Sequence, residues 1–154
     1  MKVIRHTDGE KAFEKNYGNA QVVFLGGSCR GRDWRVDVTR RLGKADVVLI
    51  NPRREDFPHP SNMPDEHASQ VTWEREAIDR SDVCIFWLGE GLANQAARVE
   101  IGYALGRGKT VIIGADAGFL GLEHLSAFSG LVLSTSINGL MDRLESVIRD
   151  GRAA

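Results

Sequence analysis

Cysteine is scarce in this chain. Cys29 and Cys84 are its two cysteines among 154 residues, with no Cys-x-x-Cys pair and no Cys/His cluster, which excludes a disulfide scaffold and a structural zinc site. Long apolar runs are missing as well. Nothing approaches the ~20 residues that span a bilayer, and Met1-Lys2-Val3-Ile4-Arg5-His6 lacks the apolar stretch of a signal peptide. A reduced, cytoplasmic setting with no membrane partner is the expectation. There is no excess of one charge: 20 Lys+Arg stand against 21 Asp+Glu, a formal net charge of −1. That balance speaks against a surface built for a nucleic-acid polymer, while a local anion pocket stays open. The standard loops are absent too: no Walker loop, no G-x-G-x-x-G and no G-x-S-x-G elbow around Ser28. His6, His59, His67 and His124 are scattered without ligand spacing, so neither a metal nor another cofactor is expected.

What is present is ordinary globular material, 42% hydrophobic and 27% charged, with 17 glycines that ask for many turns. The length suits one domain. Near-continuous apolar runs recur at 21–26, 45–50, 82–88, 110–113 and, more weakly, 130–133. Runs of this kind read as strands buried on both faces. Helical periodicity fills the intervals. Asp33–Leu42 carries the stripe Trp34, Val38, Leu42. Asp65–Arg80 carries Val71, Glu74, Ile78. Ala96–Leu105 carries Val99, Ile101, Tyr103 and Leu105, and Ile137–Ile148 closes with Leu140, Leu144, Val147 and Ile148. Strands alternating with helices predict right-handed βαβ units, an α/β sandwich with a five-stranded, mainly parallel sheet. Residues 1–18 are charged and poorly periodic and read as an N-terminal appendage, with a single domain over 19–150. Residues 51–65 form a long, polar, proline-rich loop, the kind that often serves binding.

Open parallel sheets bind ligands at the carboxyl ends of their strands. After the first run stands Gly26-Gly27-Ser28-Cys29-Arg30-Gly31-Arg32-Asp33-Trp34, with glycines for tight turning and arginines and a hydroxyl suited to phosphate. A plain Gly-rich turn with solvated arginines fits equally. After the second run stands Asn51-Pro52-Arg53-Arg54, read either as ligand-facing arginines or as a surface charge cluster. After the third stands Trp87, a core residue or an aromatic wall for a flat base. Arg98-Val99-Glu100-Ile101-Gly102-Tyr103-Ala104 sets a carboxylate among apolar residues near a helix start, where the dipole favours the ionised form. That suits a nucleophile or a simple capping carboxylate. Glu74, next to Trp73, is a second carboxylate, either facing the same cleft or solvated.

In order, Val23-Phe-Leu-Gly-Gly-Ser-Cys-Arg-Gly31 with Trp34, Leu49-Ile-Asn-Pro-Arg-Arg54, Gln70-Val-Thr-Trp-Glu74 and Asp82-Val-Cys-Ile-Phe-Trp87 leading to Val99-Glu-Ile-Gly-Tyr-Ala-Leu105 and Gly108-Lys-Thr-Val-Ile112 resemble the nucleoside 2-deoxyribosyltransferase-like family and its nucleotide N-glycosidase relatives. The resemblance implies a flavodoxin-like fold and cleavage of the N-glycosidic bond of a nucleoside or nucleoside 5′-monophosphate. Glu100 would be the nucleophile that forms a covalent glycosyl-enzyme, and Glu74 the group that protonates or orients the leaving base, for which its pKa must be raised. Gly27, Ser28, Arg30 and Gly31 would cradle a 5′-phosphate, with Arg53 a weaker candidate and Asn51 beside it, and Trp87 would stack on the base. Where the transferases carry an Asp six residues before the nucleophile, this chain has Asn94, which can hydrogen-bond sugar hydroxyls. The first-loop tyrosine is missing. These departures favour hydrolysis over base exchange, and they leave a non-catalytic nucleotide-sensing module as the alternative. A homodimer or higher homo-oligomer is implied, with 114–128 as the segment lent to a neighbour.

Overall fold

The computed structural model describes residues 1–14, 17–54 and 61–151. Of the expected 51–65 loop, residues 55–60 lie outside the described residues. Five strands, β1 (Lys2–Arg5), β2 (Gln21–Gly27), β3 (Val47–Asn51), β4 (Val83–Leu88) and β5 (Thr110–Ala115), form one sheet in the order β1-β3-β2-β4-β5. Every neighbouring pair is parallel. The helices are α1 (Arg35–Arg41), α2 (Pro64–Arg80), α3 (Gln95–Gly106), α4 (Leu122–Ser129) and α5 (Ile137–Asp150).

Strand side chains alternate between faces, and each face has its own helices. Phe24, Ile50, Phe86 and Leu88 pack with Trp73, Ala77 and Ile78 of α2 and with Ile101 and Ala104 of α3. Val23, Leu25, Leu49 and Ile85 pack with Trp34, with Val38 of α1 and with Leu140, Leu144 and Ile148 of α5. The result is the expected three-layer α/β sandwich. Proline at the first turn starts α2, where its missing N–H costs nothing. The Ser136 hydroxyl caps α5 by accepting from the Gly139 N–H.

Four expectations need correction. Residues 1–18 are not an appendage: β1 pairs in register with β3, Lys2 with Val48 through Arg5 with Asn51, and Ile4, Ala12 and Phe13 are buried. The run at 130–133 is not a strand; an isolated bridge joins Gly114 to Ser134 there, and β1 is the fifth strand instead. The buried stripe of α2 is Gln70, Trp73, Ala77 and Ile78 rather than one through Val71, which is exposed. Val99 of α3 is likewise exposed, the buried positions being Ala97, Ile101 and Ala104.

The chain leaves β2 for β3 on one side and then crosses to β4 on the other. The order therefore reverses between β2 and β4. Their carboxyl ends are the topological switch point, where an open α/β sheet binds its ligand.

Candidate active site at the switch point

The first thing at the switch point is a tight seam between β2 and β4. Gly27 has φ +105°, and a Cβ there would stand 2.2 Å from the Trp87 carbonyl oxygen. The next residue donates its backbone N–H to the same carbonyl, Ser28 to Trp87 at 2.8 Å. Only glycine meets both demands. Gly27→Ala is expected to cost at least ~2 kcal/mol, seen as a lower urea midpoint at unchanged m-value. A midpoint equal to wild type would show that the seam can open.

Ser28 then ties the seam to the start of α3. Its hydroxyl donates to Asn94 Oδ1 at 2.6 Å and accepts from the Gly89 N–H at 2.9 Å. Asn94 adopts the left-handed conformation, φ 48° and ψ 37°, which Asn tolerates better than most residues. Its amide donates to the carbonyls of Gly89 at 3.1 Å and Leu92 at 3.0 Å. Both side chains expected to meet substrate are thus bonded to the protein.

Beneath the loop lies Arg35, 1% exposed. Its Nε donates to Leu25 O at 2.8 Å, Nη1 to Ser28 O at 2.8 Å and Nη2 to Gly27 O at 3.3 Å. The guanidinium also stacks on the Trp34 ring, 4.9 Å from its centroid. Sequence reasoning missed this residue. A signal was there: a cation in the first turn of a helix opposes the macrodipole, so an arginine directly after a Gly-rich loop needs another reason. The reason is the three carbonyls.

The two carboxylates act electrostatically on Cys29 of this loop. Glu100 and Glu74 are both half-buried. Burial pushes the Glu100 carboxyl up to about 8, the charge of Glu74 adds to the rise, and Arg35 opposes it. Glu74 is raised as well, chiefly by burial, against the Gln70 hydrogen bond and Arg35. On the loop, Cys29 feels Arg35, Glu74, Glu100 and Arg53, although burial is what mainly raises its thiol. The helix-start argument for an ionised Glu100 is therefore corrected. Glu100 lies in the second turn of α3, beyond the reach of the dipole, and burial decides its proton.

Gln70 was also missed. It is fully buried, and its Nε2 donates to Pro52 O at 3.1 Å and to Glu74 Oε1 at 2.8 Å. It joins the turn after β3 to the α2 carboxylate. A buried amide four residues before a half-buried acid is a helix-face pair that spacing could have flagged.

The remaining candidates divide. Arg30 and Gly31 are exposed at the loop tip. Arg53 pairs with Asp33 at 2.8 Å and donates its backbone N–H to Asn51 Oδ1 at 3.0 Å, close enough to influence Cys29 and Arg35. Trp87 is not brought to the carboxylates. It belongs to the face of α1 and α5 and lines a cavity of about 520 Å³ with Arg32, Asp116 and Ser136. The segment 114–128 leads from the end of β5 into α4, where Leu120 and Phe128 are exposed. Among the described residues no group of His, Cys, Asp or Glu could hold a metal, and no helix is long and apolar enough to cross a membrane.

Several solved structures share this architecture. A 2-deoxyribosyltransferase from the psychrotolerant bacterium Bacillus psychrosaccharolyticus is similar at TM-score 0.60 and 16% identity, over 78% of this chain and 90% of that one. A CMP N-glycosidase of Clostridium botulinum is similar at TM-score 0.54 and 16% identity, over 81% and 99%. A conserved protein of Enterococcus faecalis V583 is similar at 0.52 and 15%, over 87% and 98%. At these identities the likeness is one of fold. No curated protein matches in sequence. The family model described as nucleoside 2-deoxyribosyltransferase like matches residues 20–119, a span that holds the Gly27–Gly31 loop, Glu74 and Glu100, and the chain belongs to that family.

Proposed function

We propose that the protein cleaves the N-glycosidic bond of a nucleoside or nucleoside 5′-monophosphate, with Glu100 as nucleophile and Glu74 as proton donor to the departing base. The observation that supports this reading is that two half-buried carboxyls, one raising the pKa of the other, both act on an arginine-pinned loop at the switch point. Burial raises both carboxyls, and the charge of Glu74 raises Glu100 further, so the two titrate as a coupled pair. The reaction requires that the one proton, which burial favours on Glu100, pass to Glu74 as substrate binds, leaving Glu100 as the carboxylate. A Glu100 carboxylate oxygen bonds to the anomeric carbon, and the carbon–nitrogen pair stays with the base, which takes the Glu74 proton. In the second half Glu74 accepts a proton from water, the hydroxide oxygen bonds to the anomeric carbon, and Glu100 leaves. Arg35 contributes a fixed positive charge that keeps one carboxylate tolerable in a half-buried site.

Hydrolysis is favoured over transfer. At the position six before the nucleophile Asn94 has both amide donors engaged by Gly89 and Leu92, which leaves no charged group there to manage an incoming base. The test is incubation with a panel of nucleosides and their 5′-monophosphates, with chromatography for free base. A second base is added in parallel to look for an exchanged nucleoside. Free base without exchange is expected. Traces that stay blank at every pH from 5 to 9 while a nucleotide raises the melting temperature would replace the enzyme with a nucleotide-sensing module.

A further inference from the structure

Gln70 engages the Glu74 carboxyl in a way that stability alone does not explain. It stands four residues before Glu74 on the same face of α2, and it is fully buried. A carboxamide has two N–H groups to give. Those of Gln70 go to Pro52 O at 3.1 Å and to Glu74 Oε1 at 2.8 Å. The Pro52 carbonyl can only accept, so the amide has one orientation: turned over, its own oxygen would stand against the Pro52 oxygen. Pro52 is buried just past β3, and the Arg53 N–H donated to Asn51 Oδ1 at 3.0 Å closes the turn around it. The donor that meets Glu74 is thus fixed from the end of the sheet.

Gln70 Oε1 is the unexpected atom. It is buried and has no hydrogen-bond partner among the described residues. A buried acceptor without a donor destabilises a fold, and methionine would fill a similar space without one. The amide has a chemical use that methionine lacks. A lysine or arginine in its place would hold Glu74 as a carboxylate, and a further acid would compete for the proton. The amide aims a donor at one oxygen and adds no charge; the nearby fixed charge is that of Arg35.

We propose that Gln70 is a positioning residue for the proton transfer: by occupying Oε1 of Glu74 with an N–H, it makes Oε2 the oxygen that carries the proton to the departing base. This role rests on the cleavage proposed above. Once the proton has passed to Glu74, an N–H already fills the place at Oε1. As the carbon–nitrogen bond breaks, the base keeps the electron pair and takes the proton from Oε2. The negative charge left on Glu74 spreads to Oε1, where the Gln70 N–H meets it in a bond that strengthens as the charge develops.

The experiment compares two substrates in each protein. For the nucleoside or 5′-monophosphate that the wild type cleaves, base release is measured beside release from the counterpart with an activated base, N7-methylated for a purine and 5-fluorinated for a pyrimidine. An N7-methylated base already carries a positive charge and leaves without a proton; a fluorinated base needs less help. In Gln70→Met, release of the ordinary base should fall at least ~10-fold more than release of the activated one, with KM little changed. Partial unfolding lowers both rates by one factor and leaves their ratio unmoved. Gln70→Asn, whose amide is too short to span both partners, should move the ratio the same way, and it carries the test if Gln70→Met does not fold. Glu74→Gln, which lacks the proton outright, sets the upper limit of the change. An unmoved ratio in the Gln70 variants overturns the positioning role and leaves the cleavage standing. A wild type that releases no base from any nucleoside, 5′-monophosphate or activated counterpart overturns the cleavage reading, and the role of Gln70 with it.

Discussion

Replacing Glu100 by Gln is expected to abolish base release, a loss of at least ~1,000-fold, and at the same time to make the protein more heat-resistant above pH 8. The two effects have one cause. A neutral amide cannot bond to the anomeric carbon as a carboxylate does, so the covalent step is lost. The same amide removes a carboxylate that the fold holds at a disadvantage. Glu100 is raised from 4.5 to about 8. Between those values the unfolded chain gives up its proton before the folded one. The contribution of Glu100 to stability is thus whole below about 4.5 and gone once the pH has passed about 8. One pKa unit corresponds to ~1.4 kcal/mol; discounted for the half-exposed setting, the penalty above pH 8 is ~1–3 kcal/mol, several degrees in melting temperature. Melting curves of wild type and Glu100→Gln should coincide near pH 4.5 and separate steadily up to pH 8. Coincidence across the whole range would mean that the carboxyl is not desolvated. In the active wild type, kcat/KM should climb with pH as the carboxyl pair loses its first proton.

Arg35→Met should do the opposite, costing stability at every pH. The thioether fills part of the volume but leaves the carbonyls of Leu25, Gly27 and Ser28 without their donor. Removing one member of a buried charged network costs ~3–5 kcal/mol, roughly 10 °C in a chain of this size. The loop would lose the hold that keeps Cys29 within the influence of both carboxylates and Arg53, so any activity falls further than stability alone explains. Arg35→Lys should recover only part of the loss, because one ammonium cannot imitate a fork across three carbonyls. Urea midpoints and base release measured on the three proteins decide it; full recovery in Arg35→Lys would show that charge alone, not the fork, holds the loop.

Strands β2 to β5 and four of the helices were legible because their apolar runs and stripes are long. β1 was not. It is a four-residue edge strand, Lys2-Val-Ile-Arg5, in which Ile4 is the one fully buried residue, so no run marks it. Leu131 and Leu133 misled in the other direction. They alternate like a strand yet only pack partly buried against the core. The carboxylates were legible as residue types on the helices that follow β3 and β4, but their protonation was not, because a helix position gives the dipole and not the burial. Trp87 was misplaced for a related reason: β4 is buried on both faces, and a continuous apolar run does not say which face any one ring takes.

The three tryptophans surround these groups. Trp34 carries the Arg35 guanidinium on its ring. Trp73 precedes Glu74 and meets the His6 ring edge-on, 5.6 Å between centroids. Trp87 offers its carbonyl to the Ser28 N–H. The protein is thereby furnished with native chromophores beside the loop, Glu74 and the seam between β2 and β4. Its own ultraviolet emission can follow occupation of the cleft without any label.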